Sequence, residues 1–554
     1  MKVYEAIAKA FIDEGTTTMF GMMGASNQHF INAMHKRGVN MINVRHEGPG
    51  LQMAEGWALA TGRPGVLTTT RGPAVTQFAT TMVVASRAHT PLVVFVGDTP
   101  RGDDLHHHRF DEAKFAEAIE CGFIRVGTAG AAYNAVQKAF YFAKLESRPF
   151  MVSAPLDVQR AKFPLDDDEE YIPSGTLLTC EPLYPHPNPI KKAAEIIAKS
   201  RKPVIIAGRG AMRSGAQDAV RKLAARIGAL VGTSLVAMNW PFDGCEYYVG
   251  MSGFYSSKVA IELLQDADCV IGVGASLNEH TTAHGYLFPE AKFIQIDTAG
   301  QVLIAGNRPA DVYIRADARL GLEVLDQVLE QRSFVQTGWR TPEVKAKIEA
   351  PPVDPTVYDI APGTVDPREA VKVLNESLPA SFGLVIAGSH GMGFSIEGFR
   401  GKFRPFTFIS KGFLGMMKGI TTGIGATVAT GIPTVAMDGD ASVMMNIPEF
   451  DTAVRYKLPL LLCILNDEAL GSELHHAKLH LDELDPELCR IPSPNFAAVA
   501  VGFGGRGHLI RSIDELRAAC AEFIADPSPT LLDIRIDSQV QSIPTRRMAG
   551  VENV

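Results

Sequence analysis

The stretch TVAMDGDASVMMN (residues 434–446) runs from apolar and β-branched residues into two acids that flank one glycine. A second apolar run, LPLLLCILND (residues 458–467), ends in an asparagine and Asp467. Asp440 and Asp467 are 27 residues apart, which suits one strand end, a crossover helix and the next strand. Short apolar runs at this spacing are typical of parallel strands covered by helices, so these residues predict an open α/β sheet.

The acids at the two strand ends predict a metal site. In open parallel sheets, ligands bind beyond the carboxyl ends of the strands, where helix N termini present unpaired N–H groups. Asp440 and Asp467 lie at such ends, and their oxygens suit a hard cation such as Mg²⁺ with a phosphate partner. Gly439 lets the backbone turn closely, and Ser442 with nearby amides can hold phosphate oxygens. Each acid alone would suit a helix N-cap, but the pair at crossover spacing favours a metal.

The alternation of short apolar strands with helical segments continues along all 554 residues, a length that predicts three or four domains. Proline-rich or acidic passages interrupt the alternation and are interpreted as linkers, at residues 163–175, 181–189 and 349–367. The pattern predicts an α/β protein of three open parallel-sheet domains, at residues 1–165, 187–335 and 362–545.

Composition narrows the class of protein. Hydrophobic residues make up 46% and charged residues 21%, as in ordinary globular proteins, and no apolar run reaches the roughly 20 residues of a membrane span. A net charge of −8 offers no basic surface for nucleic acid or anionic membranes. The first 21 residues predict an amphipathic helix rather than a signal peptide. The seven cysteines form no CxxC pair, which indicates a reducing compartment, so we expect a cytoplasmic protein.

Several segments together resemble one enzyme family. GDAS (439–442) and the strand ending LND resemble the thiamine diphosphate motif, GDG or GDA followed by NN, of 2-oxo acid decarboxylases and acetohydroxyacid synthases. Three further segments resemble this family's pyrimidine-domain signature, its G.MG…GA loop and the helix after its metal site: RHEGPGLQMAEGWALATGRPGVLTTTRGPAVTQ (45–77), GFLGMMKGITTGIGA (412–426) and EFDTAVRYKLPL (449–460). The similarity runs in order along nearly the whole chain. It implies pyrimidine-binding, middle and diphosphate-binding domains.

The resemblance implies thiamine diphosphate and Mg²⁺ as cofactors. Asp440, Asp467 and the backbone carbonyl of Ala469 would hold Mg²⁺ on the diphosphate. Asp467 stands where the family usually has asparagine, which adds a negative charge and predicts a tighter dependence on Mg²⁺. The other residues that the resemblance places at the cofactor are Glu47, Gly72, Pro73, Ser389, His390, Gly412, Met416, Gly439, Ala441, Ser442, Leu470 and Gly471.

Two of these residues have implied roles in activating the cofactor. Glu47 ends the strand MINVRHE and matches the acid that hydrogen-bonds to N1′ of the aminopyrimidine, which promotes loss of the thiazolium C2 proton. Met416 matches the apolar wedge that bends the cofactor, with Met417 as the neighbouring alternative. In this family the two cofactor-binding domains meet across subunits. The resemblance therefore implies a homodimer or homotetramer, with Glu47 and Asp440 of one site from different chains.

The loop GDDLHHHRFDEAKF (102–115) is the candidate substrate contact, with two interpretations. His106 and His107 resemble the paired histidines of pyruvate decarboxylases, which donate and relay protons, although a solvated histidine loop is a comparable alternative. The segment RFDEAKF instead aligns with FQE of acetohydroxyacid synthases, with Asp111 at the glutamine. His29 and Arg71, which replaces the family's usual serine, are further candidates for contacting a substrate carboxylate or carbonyl.

Two other motifs carry weaker signals. His476 and His480 have the i, i+4 spacing of a metal pair, but exposed surface histidines are the favoured interpretation for these two and for His475. Some carboligases of the family hold FAD in the middle domain. The segment Gly208-Arg209-Gly210 is a weak signal for a nucleotide, so FAD has no support from the sequence.

The favoured function is a carboligase of the acetolactate synthase type, which decarboxylates a 2-oxo acid and joins the remainder to a second carbonyl. A simple 2-oxo acid decarboxylase differs only in the final acceptor, and a carbon–carbon lyase or hydrolase of diketones uses a similar scaffold. A catalytically silent paralogue is disfavoured by the presence of Glu47. A dinucleotide oxidoreductase is disfavoured by the lack of a GxGxxG motif between a strand and a helix.

Overall fold

The computed structural model describes residues 1–164, 170–177, 181–238, 240, 245–300, 308–350, 354–388, 390–402, 404–409 and 416–548. Within this part of the chain, the strands form three six-stranded sheets whose neighbouring strands run parallel. Helices precede, connect and follow the strands of each sheet. The predicted α/β class with three open parallel sheets is therefore confirmed, whereas the limits of the domains stay predictions.

The first sheet has the strand order β2-β1-β3-β4-β6-β5. Its strands are β1 Thr18–Gly21, β2 Asn40–Asn43, β3 Gly65–Thr69, β4 Leu92–Asp98, β5 Gly122–Arg125 and β6 Pro149–Pro155. The helices of this segment are α1 Val3–Asp13, α2 Gln28–His35, α3 Glu47–Thr61, α4 Pro73–Thr76, α5 Ala79–Arg87, α6 Glu112–Ala118, α7 Ala132–Glu146 and α8 Leu156–Arg160.

The second sheet has the order β12-β11-β10-β7-β8-β9. Its strands are β7 Pro203–Ala207, β8 Leu230–Thr233, β9 Tyr248–Met251, β10 Cys269–Val273, β11 Lys292–Asp297 and β12 Val312–Arg315. The helices of this segment are α9 Pro187–Lys199, α10 Arg209–Arg213, α11 Gln217–Arg226, α12 Lys258–Gln265, α13 Glu279–Thr282, α14 Ala318–Gln331 and α15 Pro342–Glu349.

The third sheet, β14-β13-β15-β16-β18-β17, repeats the strand order of the first. Its strands are β13 Gly383–Ile386, β14 Thr407–Ile409, β15 Thr434–Gly439, β16 Leu460–Asn466, β17 Arg506–Ile510 and β18 Thr530–Arg535. The helices of this segment are α16 Pro367–Ser377, α17 His390–Gly398, α18 Gly419–Thr430, α19 Asp440–Asn446, α20 Glu449–Arg455, α21 Gly471–Leu479, α22 Phe496–Gly502, α23 Ile513–Ala525 and α24 Ile543–Met548.

The stretch TVAMDGDASVMMN forms β15 and α19, and the apolar run LPLLLCILND contains β16. All seven residues of β16 are buried, because helices cover both faces of a parallel sheet and leave no polar face to the strand. β15 and β16 are direct neighbours in register from Thr434 opposite Leu460 to Gly439 opposite Leu465. Their carboxyl ends therefore lie side by side, and the connection contains two short helices, α19 and α20, where one crossover helix is predicted.

Helices α3 and α18 join the first sheet to the third. A Cβ atom on Gly425 would overlap the carbonyl oxygen of Met53, and one on Gly56 would lie 2.5 Å from the carbonyl oxygen of Thr422. The two backbones therefore touch, which only glycine allows at these two positions. One hydrophobic cluster continues across this junction from Phe20 in β1 to residues beneath the third sheet. No helix in the described part of the chain has the length and apolar character that crossing a membrane requires.

The α3–α18 contact predicts a specific loss of stability. Replacement of Gly425 by alanine places a methyl group against the backbone of α3, and overpacking of this kind costs about 1–3 kcal/mol. We expect Gly425→Ala to lower the melting temperature in calorimetry by at least about 3 °C. Gly502→Ala is the matched control, because Gly502 is also helical and a Cβ there would meet no atom within 4 Å. Equal melting temperatures for both variants would contradict the prediction.

Candidate cofactor site

The two acids around Gly439 have different surroundings. Asp438 is buried inside β15, and its Oδ2 accepts the N–H of Gly419 at 2.9 Å while its Oδ1 accepts the N–H of Gly439 at 2.9 Å. Burial raises the pKa of Asp438 to about 6. Asp438 therefore ties the start of α18 to the end of β15. Asp440 begins α19, and its Oδ2 accepts the hydroxyl of Ser493 at 2.6 Å.

Asp440 and Asp467 converge at the carboxyl edge of the third sheet, as their spacing predicts. Asp467 follows β16 directly and is only 7% exposed. Burial and, to a lesser extent, the neighbouring Asp440 carboxylate raise the pKa of Asp467 to about 7, against hydrogen bonds from its own N–H and that of Ala469. Burial also raises the pKa of Asp440. Two buried carboxylates that repel each other are the donor set that a divalent cation would neutralise.

The segment after β16 is held by backbone contacts rather than by a regular turn. Leu470 donates its N–H to the carbonyl of Cys489 at 2.8 Å, and Ile491 donates to the carbonyl of Glu468 at 2.9 Å. Asn466 links β16 to β18, because its Nδ2 donates to Asp533 Oδ1 at 2.8 Å. These contacts place the backbone of Ala469 beside Asp467, with Leu470 as the N-cap of α21 and Gly471 as its first residue.

Helix α19 also fixes the backbone beside Met416. Ser442 Oγ accepts the N–H of Met417 at 2.7 Å, and Asn446 Nδ2 donates to the carbonyl of Met417 at 2.7 Å. Met417 has a φ of 78°, in the left-handed region that favours glycine. These contacts constrain the backbone next to half-buried Met416.

The other predicted cofactor contacts of this segment have the following positions. Ser389 and Gly412 lie outside the described residues, Ala441 belongs to α19 and His390 begins α17.

Glu47 is the first residue of α3, at the carboxyl edge of the first sheet, and is 7% exposed. The N-cap residue His46 accepts the N–H of Gly48 on its Nδ1 at 3.1 Å, which fixes the start of the helix. The backbone N–H groups of Arg45 and His46 both donate to Glu449 Oε1, at 2.9 and 3.0 Å. Hydrogen bonds therefore fix the backbone on both sides of Glu47. The residue after it, Gly48, bonds to the N-cap of α3, and the two residues before it bond to Glu449 of α20.

Two predicted cofactor residues, Gly72 and Pro73, and one predicted substrate residue, His29, have different neighbours in the structure. Gly72 has a φ of 68°, and a Cβ there would lie 2.7 Å from the Cβ of His108, so the segment after β3 touches the histidine loop. Pro73 begins α4 directly after this contact. His29 stacks its ring on Tyr4 of α1 with centroids 5.1 Å apart, which gives it a packing role in the first sheet's surroundings.

The three histidines after β4 form one cluster. Their ligand nitrogens lie within 4.8 Å of one another, and the rings of His107 and His108 have centroids 4.1 Å apart. His108 donates its backbone N–H to His106 Nδ1 at 3.1 Å. Loss of solvation lowers the pKa of His108, and so do the charges of His107, Arg71 and His106. The three imidazoles therefore lie against one another, with His107 exposed and His106 and His108 half-buried.

Glu112 is a buried acid that the sequence analysis missed. It is 1% exposed, and its Oε2 accepts the hydroxyl of Ser153 at 2.5 Å. Burial raises the pKa of Glu112 to about 7, and the charge of Asp98 adds to the rise. Asp111, the candidate in this segment, is instead an exposed N-cap that accepts the N–H of Lys114. The helical spacing of Glu112 with buried Ala116, at i and i+4, is the signal that would have found it.

The structure can be compared with two weaker predictions, one for the late histidines and one for the segment Gly208-Arg209-Gly210. The interpretation of the late histidines as surface groups is wrong for His475, which is 1% exposed because α21 packs this face inward, and burial lowers its pKa to about 4. A Cβ on Gly210 would lie 2.7 Å from Gly274 Cα, and one on Gly208 would overlap the Gly274 carbonyl. Close backbone approach thus explains both glycines of GRG, so they carry no argument for a flavin.

A cavity of about 560 Å³ lies where the three sheets' segments meet. Its wall includes Phe408 from β14 and Arg209 from α10. Its wall also includes the buried ion pair between Lys418 Nζ and Glu55 Oε2, which are 2.7 Å apart. This pair sits on the α3–α18 junction, so the cavity borders the same interface that positions the candidate site.

Three family models match the chain in sequence order. The N-terminal TPP binding domain, central domain and C-terminal TPP binding domain of thiamine pyrophosphate enzymes match residues 1–118, 190–327 and 387–534. A probable acetolactate synthase large subunit from Methanocaldococcus jannaschii is 30% identical over 97% of this chain and 92% of its own length. The chain belongs to the thiamine pyrophosphate enzymes. This assignment confirms the family that the motifs around Glu47, Asp440 and Asp467 indicate.

Other relatives of this thiamine pyrophosphate enzyme are similar along most of their lengths. The acetolactate synthase isozyme 2 large subunit of Escherichia coli is 27% identical over 96% of this chain and 95% of its own length. Acetolactate synthase 2 of Nicotiana tabacum is 26% identical over 98% of this chain and 83% of its own length. When bound, thiamine diphosphate supplies a carbon nucleophile for carbonyl substrates, and the buried carboxylates at the described edge of the third sheet would suit a metal ion on its diphosphate.

The buried Glu112 predicts a pH-dependent stability. The pKa of Glu112 in the folded protein, about 7, exceeds the ordinary value of 4.5, so the folded protein holds this proton more tightly than the unfolded chain does. The resulting contribution to the free energy of unfolding is complete below pH 4.5 and is lost as the pH rises through 7. Glu112→Gln removes this titration and keeps an acceptor for Ser153. We expect the variant to melt at the wild-type temperature at pH 4.5 and several degrees higher at pH 8.

The control for this experiment is Glu117→Gln, which changes an exposed acid of the same helix. We expect its melting temperature to follow that of the wild type at both pH values. A Glu112→Gln variant that shows the same pH dependence as the wild type would contradict the assignment of the titration to Glu112.

Proposed function

We propose that this thiamine pyrophosphate enzyme is a carboligase of the acetolactate synthase type. It decarboxylates a 2-oxo acid and ligates the remaining acyl group to a second carbonyl compound. The observation that carries the proposal is the similarity to acetolactate synthase large subunits, which extends over 96% or more of the chain. Similarity of this extent includes all three sheets. It also includes the sheet edges that carry the candidate residues, which are Glu47 at the first sheet and Asp440 with Asp467 at the third.

In this proposal the third sheet holds the diphosphate and its Mg²⁺. Asp440 and Asp467 supply carboxylate ligands and Ala469 supplies its carbonyl. The supporting observation is the burial of both carboxylates and their mutual repulsion, which a divalent cation would relieve. The N–H groups that begin α19, at Ala441 and Ser442, suit phosphate oxygens, because the first N–H groups of a helix have no intrahelical acceptor.

The first sheet supplies the activating acid in this proposal. Glu47 donates or shares a proton with the pyrimidine ring, which its burial favours because hydrogen bonds strengthen where water is excluded. We further propose a homodimer or homotetramer in which Glu47 of one chain faces Asp440 of another. Gly72 and Pro73 lie at the same sheet edge as Glu47 and would complete the pyrimidine side.

A simple 2-oxo acid decarboxylase is the second candidate. The observation that favours it is the histidine cluster at His106 to His108, which touches the segment after β3 at Gly72. Imidazoles at such a position could protonate the product in place of a second carbonyl substrate. The two functions differ in the product and are separated by one experiment.

That experiment measures CO₂ release from a panel of 2-oxo acids, pyruvate included, with thiamine diphosphate and Mg²⁺ supplied and products identified by NMR. We expect CO₂ release with a hydroxyketone or 2-hydroxy-3-oxo acid as the product. An aldehyde product would favour the decarboxylase instead. If no 2-oxo acid releases CO₂ although the cofactor is bound, a carbon–carbon lyase or hydrolase of diketones would replace both candidates.

The acid at position 467 predicts a measurable effect on the metal. A carboxylate attracts Mg²⁺ more strongly than an amide does, so Asp467→Asn should raise the Mg²⁺ concentration for half-maximal activity at pH 8 by about tenfold or more. Asp440→Asn is the companion variant and should weaken the metal similarly, whereas Asp482→Asn, at an exposed position, should not. An unchanged Mg²⁺ titration in Asp467→Asn would argue against Asp467 as a ligand.

Glu47 predicts a loss of catalysis without loss of the fold. We expect Glu47→Gln to lower the rate of CO₂ release by about 100-fold or more, because general acid–base contributions have this size. The melting temperature should change little, since glutamine keeps the shape of the side chain. Glu117→Gln serves as the control and should retain full activity. Wild-type turnover in Glu47→Gln would be inconsistent with its proposed role.

A further inference from the structure

The side chain of Arg71 is half-buried at the carboxyl edge of the first sheet. Its Nε and Nη1 are both buried, and among the described residues neither has a hydrogen-bond acceptor. Its backbone N–H donates to Ser26 Oγ at 3.1 Å, and Ser26 Oγ in turn lies 2.8 Å from Thr70 Oγ1. The main chain at Arg71 is therefore fixed, while two donors of the side chain are left for another acceptor. Buried N–H donors without an acceptor are costly, so this arrangement favours an anionic ligand.

The groups around Arg71 add positive rather than negative charge. His108 lies against the backbone of Gly72, and the charged groups that act on its ring are Arg71, His106 and His107, all of them basic.

Nearby acids of the same loop bind other partners. Asp104 pairs with Arg109, and Asp111 pairs with Lys114. Asp98, at the end of β4, pairs with Arg125 at 2.6 Å. Arg71 and the three histidines thus place basic groups together, while Asp98, Asp104 and Asp111 pair with other residues, and a local excess of positive charge favours an anion.

We infer that Arg71 binds a substrate carboxylate that survives the reaction, a proposal that rests on the proposed decarboxylation and ligation chemistry. The carboxylate that leaves becomes neutral CO₂, so a guanidinium bound to it would stabilise the substrate more than the transition state. A carboxylate that keeps its charge gains the same contact in both states, and its binding energy can orient the substrate. Arg71 is therefore a specificity residue for a second acidic group.

That carboxylate has two sources. One is the distal acid of a dicarboxylic 2-oxo acid donor. The other is the carboxylate of a 2-oxo acid acceptor: the donor loses CO₂, a carbon–carbon bond forms to the acceptor's carbonyl carbon, and the carbonyl oxygen takes up one proton from water. In both cases the product keeps one carboxylate. The guanidinium can bind it with two parallel N–H donors.

Binding of two unreactive probes to the holoenzyme tests the inference by calorimetry. Glutarate represents the dicarboxylic donor and lactate represents the acceptor, and neither carries a carbonyl that can react. We expect wild-type enzyme to bind at least one of them and Arg71→Met to weaken that binding by about 10- to 100-fold. Arg71→Lys, which keeps the charge but loses the planar fork, should bind with intermediate affinity. The probe that loses affinity identifies the source of the carboxylate.

Arg109→Met is the matched control, because it removes a half-exposed guanidinium of the adjacent loop that already pairs with Asp104. Its probe affinities should equal those of the wild type within twofold. The inference is overturned if neither probe binds the wild type, or if Arg71→Met binds both probes with wild-type affinity. It is also overturned if Arg71→Lys loses thiamine diphosphate affinity, since the guanidinium would then belong to the cofactor site.

These outcomes are separate from those of the proposed function. Probe binding needs no turnover, so an enzyme that releases no CO₂ from any 2-oxo acid would refute the carboligase while the probe affinities still report on Arg71. Conversely, CO₂ release with unchanged probe affinities in Arg71→Met would refute the inference alone. In an active enzyme, the same variant should raise KM for the carboxylate-bearing substrate and leave KM for a neutral aldehyde acceptor within about threefold.

Discussion

The backbone contact between α3 and α18 is the constraint on which the arrangement of the first and third sheets within one chain depends. At Gly56 and Gly425 each helix occupies space that a side chain of the other would need. Around this contact, Lys418 pairs with Glu55, and Thr421 Oγ1 donates to Gln52 Oε1 at 2.6 Å. Buried polar groups of this kind are tolerated only when every partner is in place, so they select one relative placement of the helices. The register of α3 against α18 is therefore specified by polar pairs as well as by shape.

Each helix of this pair carries part of the candidate site at its N-terminal end. Helix α3 begins with Glu47, and α18 follows Met416 and Met417 by one residue. Because the first and third sheets have the same strand order, their carboxyl edges are equivalent places in two copies of one topology. Ligands of open parallel sheets bind at such edges. One packed helix pair thus fixes the first sheet against the third within the chain, and glycines at the contact allow the two backbones to approach closely.

The two edges have opposite electrostatic character. The third sheet presents the buried carboxylates of Asp440 and Asp467, which suit a cation that carries phosphate. The first sheet presents the guanidinium of Arg71 beside three histidines, which suits an anion. In the proposed function, this division places the metal-bound diphosphate at one edge and the acidic substrate at the other, because each group is stabilised beside charge of the opposite sign.

The amino-acid sequence by itself determined the class of the fold, the family and the positions of the two strand-end acids. These features are local: apolar runs of strand length, a glycine between acids and a spacing of one crossover are all visible in consecutive residues. Glu112 was within reach of the same reasoning, since its helical spacing with Ala116 places it on a buried face. The role of Asp438 was not, because its acceptor oxygens bind the N–H of Gly419, which belongs to a different helix.

Only the tertiary structure decided which polar groups are paired and which keep donors for a ligand. Arg71, Arg109 and Arg125 are three arginines of the first-sheet segment, yet Arg109 and Arg125 pair with acids, whereas two buried donors of Arg71 have no acceptor in the described part of the chain. Pairing depends on contacts between residues far apart in sequence, and a buried charge is stable or costly according to those contacts alone. For this reason the fold could be predicted from local pattern, whereas the chemistry of each sheet edge required the folded chain.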